Sequence, residues 1–334
     1  MRQDSIILFD FTMTNGISCP LCGNNKYLVR RHWEINKLSS LWLVSFGFDP
    51  FLDKGLGGTL SKIQCTDCQL LYFDPVFLGD GAFYEKLAKN AWYYEEEKWE
   101  FTEALQIILE RKPQSLLEIG CGNGNFLRKV KYAIEKVEGL EINEEAIRFC
   151  RENNLNVSSR PMSGVTDSFD MVVMFEVLEH LDKPKETVEQ LIQLTKKGGL
   201  LIIAVPNPDG YLKEIDTVLL DMPPHHSGGW TLNTFDFIAK KYNLEKVHYA
   251  LEPLRDVHYQ SFLSSKPKSA GNTSEHIKLG KTIKSRFLGK AKRFISEALQ
   301  PSVQPVLDKI DHLAFRLEKN SIIGQTHLIA FRKN

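Results

Sequence analysis

Between residues 115 and 206, short apolar runs alternate with amphipathic stretches. SLLEI (115–119), KVEGLEI (136–142), FDMVVMF (169–175) and LLIIAVP (200–206) read as strands, with NVSS (156–159) as a short one. Between them, NFLRKVKYA (125–133), EEAIRFCREN (144–153) and KPKETVEQLIQLTKK (183–197) space their apolar residues as a helix with one buried face does. Asn125 is placed to cap the first of these helices, Pro184 stands in the first turn of the third, and Gly198-Gly199 is expected to close it. Strands apolar on both faces that alternate with helices predict an α/β fold, its parallel sheet covered on both sides. Further along, TLNTFDFIAKKY (231–242) predicts a helix, LEKVHYAL (244–251) a strand and THLIAF (326–331) a last strand. Residues 81–112 read as helical and stop at Pro113.

Residues 1–80 differ in character. They hold few helical patterns and four of the six cysteines, as CPLC (19–22) and CTDC (65–68). Each C-x-x-C turn brings two thiolates to one ion, and two turns complete a tetrahedron, so Cys19, Cys22, Cys65 and Cys68 are candidate zinc ligands. Four sulfurs leave zinc no open position, which makes the expected site structural. The 42 residues between the pairs require an inserted loop. Cys121 and Cys150 have no metal partner at hand and read as packing residues. The expected organisation is a zinc-binding module at 1–80, a helical connector or cover at 81–112, an α/β core at 113–265 and 321–334, and a basic helical insertion at 266–320.

Charge narrows the partners. Lys plus Arg equals Asp plus Glu at 42 each, so no global field draws the chain to nucleic acid or membrane. The apolar runs are too short for a membrane span, and the opening residues do not resemble a signal peptide, so a cytoplasmic protein is expected. Residues 266–293 carry nine Lys or Arg against one Glu. That stretch suits weak contact with an anionic group or membrane surface, or simply a solvated face.

The sharpest chemistry lies at LLEIGCGNGNF (116–126), where a strand runs into glycines and then a helix. Such a turn lets a ligand approach the backbone and the helix-terminal N–H groups. A dinucleotide fingerprint needs glycine at 120, 122 and 125, but glycine stands at 120, 122 and 124. No phosphate-loop Gly-Lys-Ser/Thr follows either. Glu118 would repel a pyrophosphate and suit a cation, while Glu141 closes the next strand where an acid can hold both hydroxyls of a ribose. A cationic, phosphate-free adenosine ligand is S-adenosylmethionine.

With these residues the chain resembles the class I S-adenosylmethionine-dependent methyltransferases, through E-I-G-C-G-N-G (118–124), G-L-E-I-N (139–143), FDMVVMFEVLEHLDKP (169–184) and GGLLIIAVPNPD (198–209). The resemblance implies a Rossmann-like seven-stranded sheet with its last strand antiparallel, a place THLIAF fits. It implies that Gly120, Gly122 and Gly124 line the cofactor and that Glu118 lies near its methionine amino group. Glu141 would hold the ribose, Ile142 would lie against the adenine, and Phe175 and Glu176 would face the methionine end. A zinc-ribbon-like module ending C-x-x-C-x-L-x-Y-x-x-P, here CTDCQLLYFDP (65–75), resembles one that precedes the core in some bacterial sugar and natural-product methyltransferases. There the tyrosine-rich segment, here Tyr84 to Tyr94, lies over the active site. Gln69 departs from that pattern, which has glycine.

Methyl transfer is an in-line displacement at the sulfonium carbon, and an oxygen, nitrogen or carbon acceptor can also need a base. DMPPHHSGGWT (221–231) puts two histidines in a loop after the fifth strand, where α/β ligands bind. His225 and His226 are candidate bases, with His180 near the transferred methyl. Tyr93, Tyr94 and Trp230 are candidate walls for the acceptor. The expected function is methyl transfer to a small-molecule or glycan-precursor acceptor. A zinc-ribbon protein that binds or modifies RNA is the alternative, although residues 1–80 show no basic excess interleaved with aromatics. A nicotinamide oxidoreductase is disfavoured by the absent glycine at 125.

Overall fold

The computed structural model describes residues 17–90, 96–259, 262, 315 and 323–334. They fall into two compact units, one of residues 1–206, 219–250 and 327–334, the other of 207–218 and 251–326.

In the first unit, β1 (Tyr27–Glu34) leads into α1 (Ile35–Phe46), and β2 (Thr59–Cys65) and β3 (Leu71–Asp74) follow. β1 pairs antiparallel with β2, and β2 with β3. α1 lies in the long loop between the cysteine pairs and buries Ile35, Leu38 and Trp42. Trp42 packs its ring near Phe46, Phe48 and Phe83, so this insertion carries an aromatic core of its own.

The stretch expected as one helix over 81–112 forms two, α2 (Gly81–Ala88) and α3 (Trp99–Arg111). The Asp80 carboxylate caps α2 by accepting from the Phe83 N–H, and Lys112 in the left-handed region ends α3 just before Pro113.

The α/β order then holds. β4 (Ser115–Ile119), α4 (Asn125–Val130), β5 (Lys136–Leu140), α5 (Glu144–Glu152), β6 (Val157–Ser158), β7 (Phe169–Phe175), α6 (Pro184–Leu194) and β8 (Thr195–Pro206) follow in turn. β9 (Gly228–Gly229) returns to the module and pairs antiparallel with β3. α7 (Leu232–Lys241), β10 (Leu244–Pro253) and β11 (Ile323–Lys333) complete the chain. The large sheet has the order β10-β11-β8-β7-β4-β5-β6, parallel from β8 to β6 and antiparallel at its last strands.

Alternation along the central strands fills both faces. Leu117, Ile119, Val172, Met174, Leu201 and Ile203 go to one core layer. Leu116, Met171, Val173, Phe175, Ile202 and Ala204 go to the other. Each such side chain contributes about 1.5–3 kcal/mol on burial, which fixes the carboxyl ends of β4, β5 and β7 as a rigid rim.

Two local expectations differ from the structure. Gly124, not Asn125, is the residue before α4; at φ 69° it adopts a left-handed turn that brings the chain into the helix. Gly198-Gly199 does not close α6. The helix ends at Leu194, where the Thr195 hydroxyl donates to the Leu191 carbonyl, and both glycines lie inside β8. Between Phe169↔Thr195 and Met171↔Leu200 the register slips, and Gly198 at φ 77° absorbs the extra residues as a bulge.

In the second unit, Leu254, Phe262 and Phe315 form a small core with Tyr211 and Tyr259. The Glu252 carboxylate accepts from the Gln325 and Thr326 N–H groups and from Arg255. The basic stretch 266–293 and, apart from Phe315, the helical insertion at 266–320 lie outside the described residues. Among the described residues no helix is long and apolar enough to cross a membrane.

Candidate functional site

The glycine turn after β4 has the conformation its composition requires. Gly120, Gly122 and Gly124 sit at φ 72°, 50° and 69°. Protein packing demands two of them as well: a Cβ on Gly120 would come within 2.5 Å of Val177, and one on Gly124 within 2.4 Å of Leu155. The turn is locked to the end of β5. The Gly120 and Cys121 N–H groups donate to the Leu140 carbonyl, and the Gly122 N–H donates to Glu141 Oε2 at 2.7 Å. Glu141 Oε1 accepts from the N–H groups of Ile142 and Asn143, at 2.7 and 2.9 Å. Three backbone donors therefore hold the Glu141 carboxylate in place; they fill both lone pairs of Oε1 and one of Oε2, which leaves one acceptor position on Oε2. Next to it, Ile142 is 90% exposed, an apolar surface open to a flat ring.

Glu118 is buried, and its Oε2 has no hydrogen-bond partner. Burial raises its pKa well above the usual carboxylate range, and the Lys98 ammonium pulls the other way. A buried orphan carboxylate at this turn fits a ligand that brings a cation. Phe175 lies at the end of β7, but its ring turns into the core between Phe101 and Phe126, with centroids 5.5 and 5.0 Å away. Glu176 follows at φ 53°, at the point where the chain leaves the strand.

Past β7, the single turn Leu178–His180 and the loop around 221–227 meet. The Ser227 N–H donates to the Glu179 carbonyl at 2.6 Å, and its hydroxyl lies 3.0 and 2.7 Å from the Glu179 and Leu181 carbonyls. The pairing of β9 with β3 then anchors the same loop to the cysteine module. This places one ring nitrogen each of His180, His225 and His226 within 4.8 Å of the others. His180 Nδ1 lies 2.6 Å from the His225 carbonyl, and His225 Nδ1 lies 2.8 Å from that of Leu220. A carbonyl only accepts, so both Nδ1 atoms carry the proton and both Nε2 atoms offer a lone pair. Asp221 Oδ1 is 3.6 Å from His226 Nδ1.

Glu179 stands under the rings. Its Oε1 is 3.6 Å from His180 Nε2 and 4.0 Å from His226 Nε2, beyond hydrogen-bond range, and both oxygens are buried without a hydrogen-bond partner. Burial raises its pKa to about 8. Burial also lowers the pKa of His180 to about 3, that of His225 to about 4 and that of His226 well below its usual value. All three imidazoles are neutral at physiological pH. The Tyr84 hydroxyl reaches in from α2, 3.4 Å from His180 Nδ1 and 3.5 Å from the His225 carbonyl; burial raises its pKa to about 12. Lys98 links the two ends of the rim electrostatically, since it favours the charged forms of Glu118 and Glu179 and disfavours that of His180.

The four paired cysteines also come together. Cys19 and Cys68 Sγ are 3.4 Å apart, Cys22 and Cys65 Sγ 3.5 Å, and all four lie within 4.8 Å of one another. Tetrahedral zinc with bonds of about 2.3 Å sets its sulfurs ~3.8 Å apart, so the set fits. Cys121 and Cys150 are packed in the core, as their sequence context suggests. Trp230 is buried and stacks on Phe235, which makes it a core residue and not a wall of the acceptor site. Tyr93 and Tyr94 lie outside the described residues.

Sequence reasoning singled out the histidines and missed Glu179, Asp221, Lys98 and Ser227. Glu179 had a signal, an acid inside the LEH turn beside His180. Lys98 and Ser227 had none.

Residues 92–249 match the family model described as a methyltransferase domain. Curated relatives include a mitochondrial ubiquinone biosynthesis O-methyltransferase of Saccharomyces cerevisiae, 27% identical over 33% of this chain and 39% of that protein. Another is a ubiquinone biosynthesis O-methyltransferase of Pseudomonas fluorescens, 25% identical over 44% of this chain and 76% of that protein. The chain thus spans well under half of the yeast relative. Among solved structures, a SAM-dependent methyltransferase from Archaeoglobus fulgidus aligns with a TM-score of 0.48 at 21% identity, over 75% of this chain and all of the other. The N-methyltransferase NodS from Bradyrhizobium japonicum, solved with S-adenosyl-L-homocysteine, aligns with a TM-score of 0.41 at 14% identity, over 76% and 93% of the two chains.

Proposed function

We propose that this chain, whose residues 92–249 match a methyltransferase domain, is an S-adenosylmethionine-dependent methyltransferase that methylates a small-molecule acceptor held at the histidine cluster. The observation that carries this reading is that two differently equipped clusters follow the carboxyl ends of neighbouring parallel strands, one after β4 and β5 and the other after β7. One offers an orphan carboxylate and a backbone-held acid. The other offers three neutral imidazoles.

At the first end, Glu141 would accept a hydrogen bond from a ribose hydroxyl on the one free lone pair of Oε2, and the exposed Ile142 would cover the adenine. Glu118 takes the methionine ammonium, directly or through water. Bound S-adenosylmethionine supplies an activated methyl on a sulfonium. At the second end, the acceptor hydroxyl donates to a lone pair of the His225–His226 pair, which takes its proton as the bond to the methyl carbon forms. The carbon–sulfur bond breaks and its electron pair stays on sulfur. Burial keeps these imidazoles unprotonated and so able to accept, while it weakens them as bases, so the step relies on their placement. The Tyr84 hydroxyl and the His225 carbonyl hold the rings in place. A hydroxyl acceptor is also in keeping with the relatives named for O-methylation in ubiquinone biosynthesis.

Zinc at Cys19, Cys22, Cys65 and Cys68 is part of the same proposal. It would hold the module whose β3 anchors β9 and, through it, the histidine loop. The role is structural, since four thiolates fill the coordination shell.

The test is mass spectrometry of cell extract incubated with the protein and isotopically labelled S-adenosylmethionine. A metabolite that gains the labelled methyl with wild type, but not with His225→Ala/His226→Ala, supports the proposal. Label that enters RNA, or no metabolite at all, overturns it.

A further inference from the structure

The histidine cluster holds more ligand chemistry than proton transfer requires. One base is enough to deprotonate an acceptor, yet three imidazoles and a carboxylate meet here. Two Nε2 atoms face the same carboxylate oxygen, at 3.6 and 4.0 Å. That carboxylate is 1% exposed, and neither oxygen has a hydrogen-bond partner. A buried carboxyl with neither oxygen hydrogen-bonded is poorly satisfied as it stands, and a bound cation would stabilise its ionised form.

We propose that His180, His226 and Glu179 form a second metal site, for a first-row divalent transition ion, with His225 as a further ring nitrogen beside it. Two imidazoles and a carboxylate make a known zinc donor set that leaves a position open. Ligand atoms around zinc with bonds of about 2.0–2.1 Å stand ~3.3 Å apart, so the two nitrogens would have to close on Glu179 Oε1 from 3.6 and 4.0 Å and on each other from within 4.8 Å. The outer shell is also in place. Metal-bound histidines donate their other N–H to a carbonyl or carboxylate, which fixes ring and tautomer. Here the His180 Nδ1–H is on the His225 carbonyl, and His226 Nδ1 faces Asp221. Imidazole with carboxylate selects this class of ion over magnesium or calcium, which prefer all-oxygen shells.

The site differs from the cysteine site in a way that can be measured. It lacks sulfur, is open at one position, and lies where the acceptor binds. The ion would supply Lewis acidity to an acceptor hydroxyl at that position, and His225, which the ion does not need, would be left to take the proton. Only this use of the ion rests on the methyl-transfer reading; its binding does not.

The experiment is a titration of the purified full chain, its cysteine site loaded, with Co(II), followed by visible spectroscopy and elemental counting. One added equivalent is expected, with d–d bands and no thiolate charge-transfer band. His180→Ala and His226→Ala abolish that uptake, and Asp221→Asn weakens it by about 10–100-fold. Calorimetry with S-adenosylhomocysteine, run on the same samples, checks folding. If a histidine variant does not fold, Asp221→Asn and the isosteric Glu179→Gln carry the test. Should the wild type take up no cobalt outside its cysteines, or should the variants match it, the second site is refuted. Uptake without S-adenosylhomocysteine binding would leave the metal site standing and sink the methyltransferase reading instead.

Discussion

The two ends of the strand rim are built in different ways. The end proposed for the cofactor comes from nearly contiguous chain, a turn at 118–124 and a strand end at 141–143, joined by hydrogen bonds from backbone N–H groups. The histidine end is assembled from four distant segments, contributing Tyr84, Lys98, Glu179–His180 and Asp221–Ser227, and depends on pairing with the cysteine module. The first is rigid and locally encoded. The second is exact only if the whole unit folds. It follows that the two ends should fail separately.

The largest separation is expected at the histidines. His225→Ala/His226→Ala should cut methyl transfer by ~10²–10⁴-fold, the usual contribution of a general base. Binding of S-adenosylhomocysteine, read by calorimetry, should be unchanged. Weakened cofactor binding would show that the ends are one site and not two.

Removing metal from the cysteines should act on the same side. Chelation, or Cys65→Ser, unties β3 and with it β9, so transfer should fall while cofactor binding persists. Elemental analysis should count one zinc lost. Equal loss of both activities would mean that the module supports the whole sheet.

On the cofactor side, Glu141→Ala removes charged acceptors and should weaken S-adenosylhomocysteine by about 1.5–3 kcal/mol. Gly120→Ala forces a Cβ against Val177 at a left-handed φ and should destabilise the fold by roughly 1–3 kcal/mol, read by denaturant titration.

The smallest effect is a pH slope. His180, His225 and His226 stay neutral in the folded chain down to about 4 or lower, and unfolded histidine titrates near 6.5. Below pH 6.5 the unfolded chain therefore binds more protons, and stability falls as pH drops. His226→Gln should flatten that slope by up to about 1.4 kcal/mol per pH unit. Glu179 has the opposite sign, because folded it keeps its proton up to about pH 8. Its stabilising contribution is lost as pH rises from 4.5 toward 8, so Glu179→Gln should steepen the acid slope between 4.5 and 6.5.

This contrast also explains what the sequence could show. β4 and β7 are legible residue for residue, because two-sided burial leaves an unmistakable apolar run. Glu118, the glycines and Glu141 are legible because their spacing is itself the geometry. The bulge at Gly198 is not, since a glycine pair after a helix reads the same whether it caps or slips a register. Glu179 is legible only as an acid beside His180; its burial is not, because it depends on a fold in which the Ser227 loop, 48 residues away, docks on that turn. Lys98 becomes meaningful only when the fold brings its charge near enough to act on Glu118 and Glu179.

The most direct test of the account is calorimetry of S-adenosylhomocysteine with wild type, Glu141→Ala and His225→Ala/His226→Ala side by side. The account predicts that wild type and the histidine variant bind alike, and that Glu141→Ala binds more weakly by about 1.5–3 kcal/mol. No binding by wild type, or equal binding by wild type and Glu141→Ala, would contradict it.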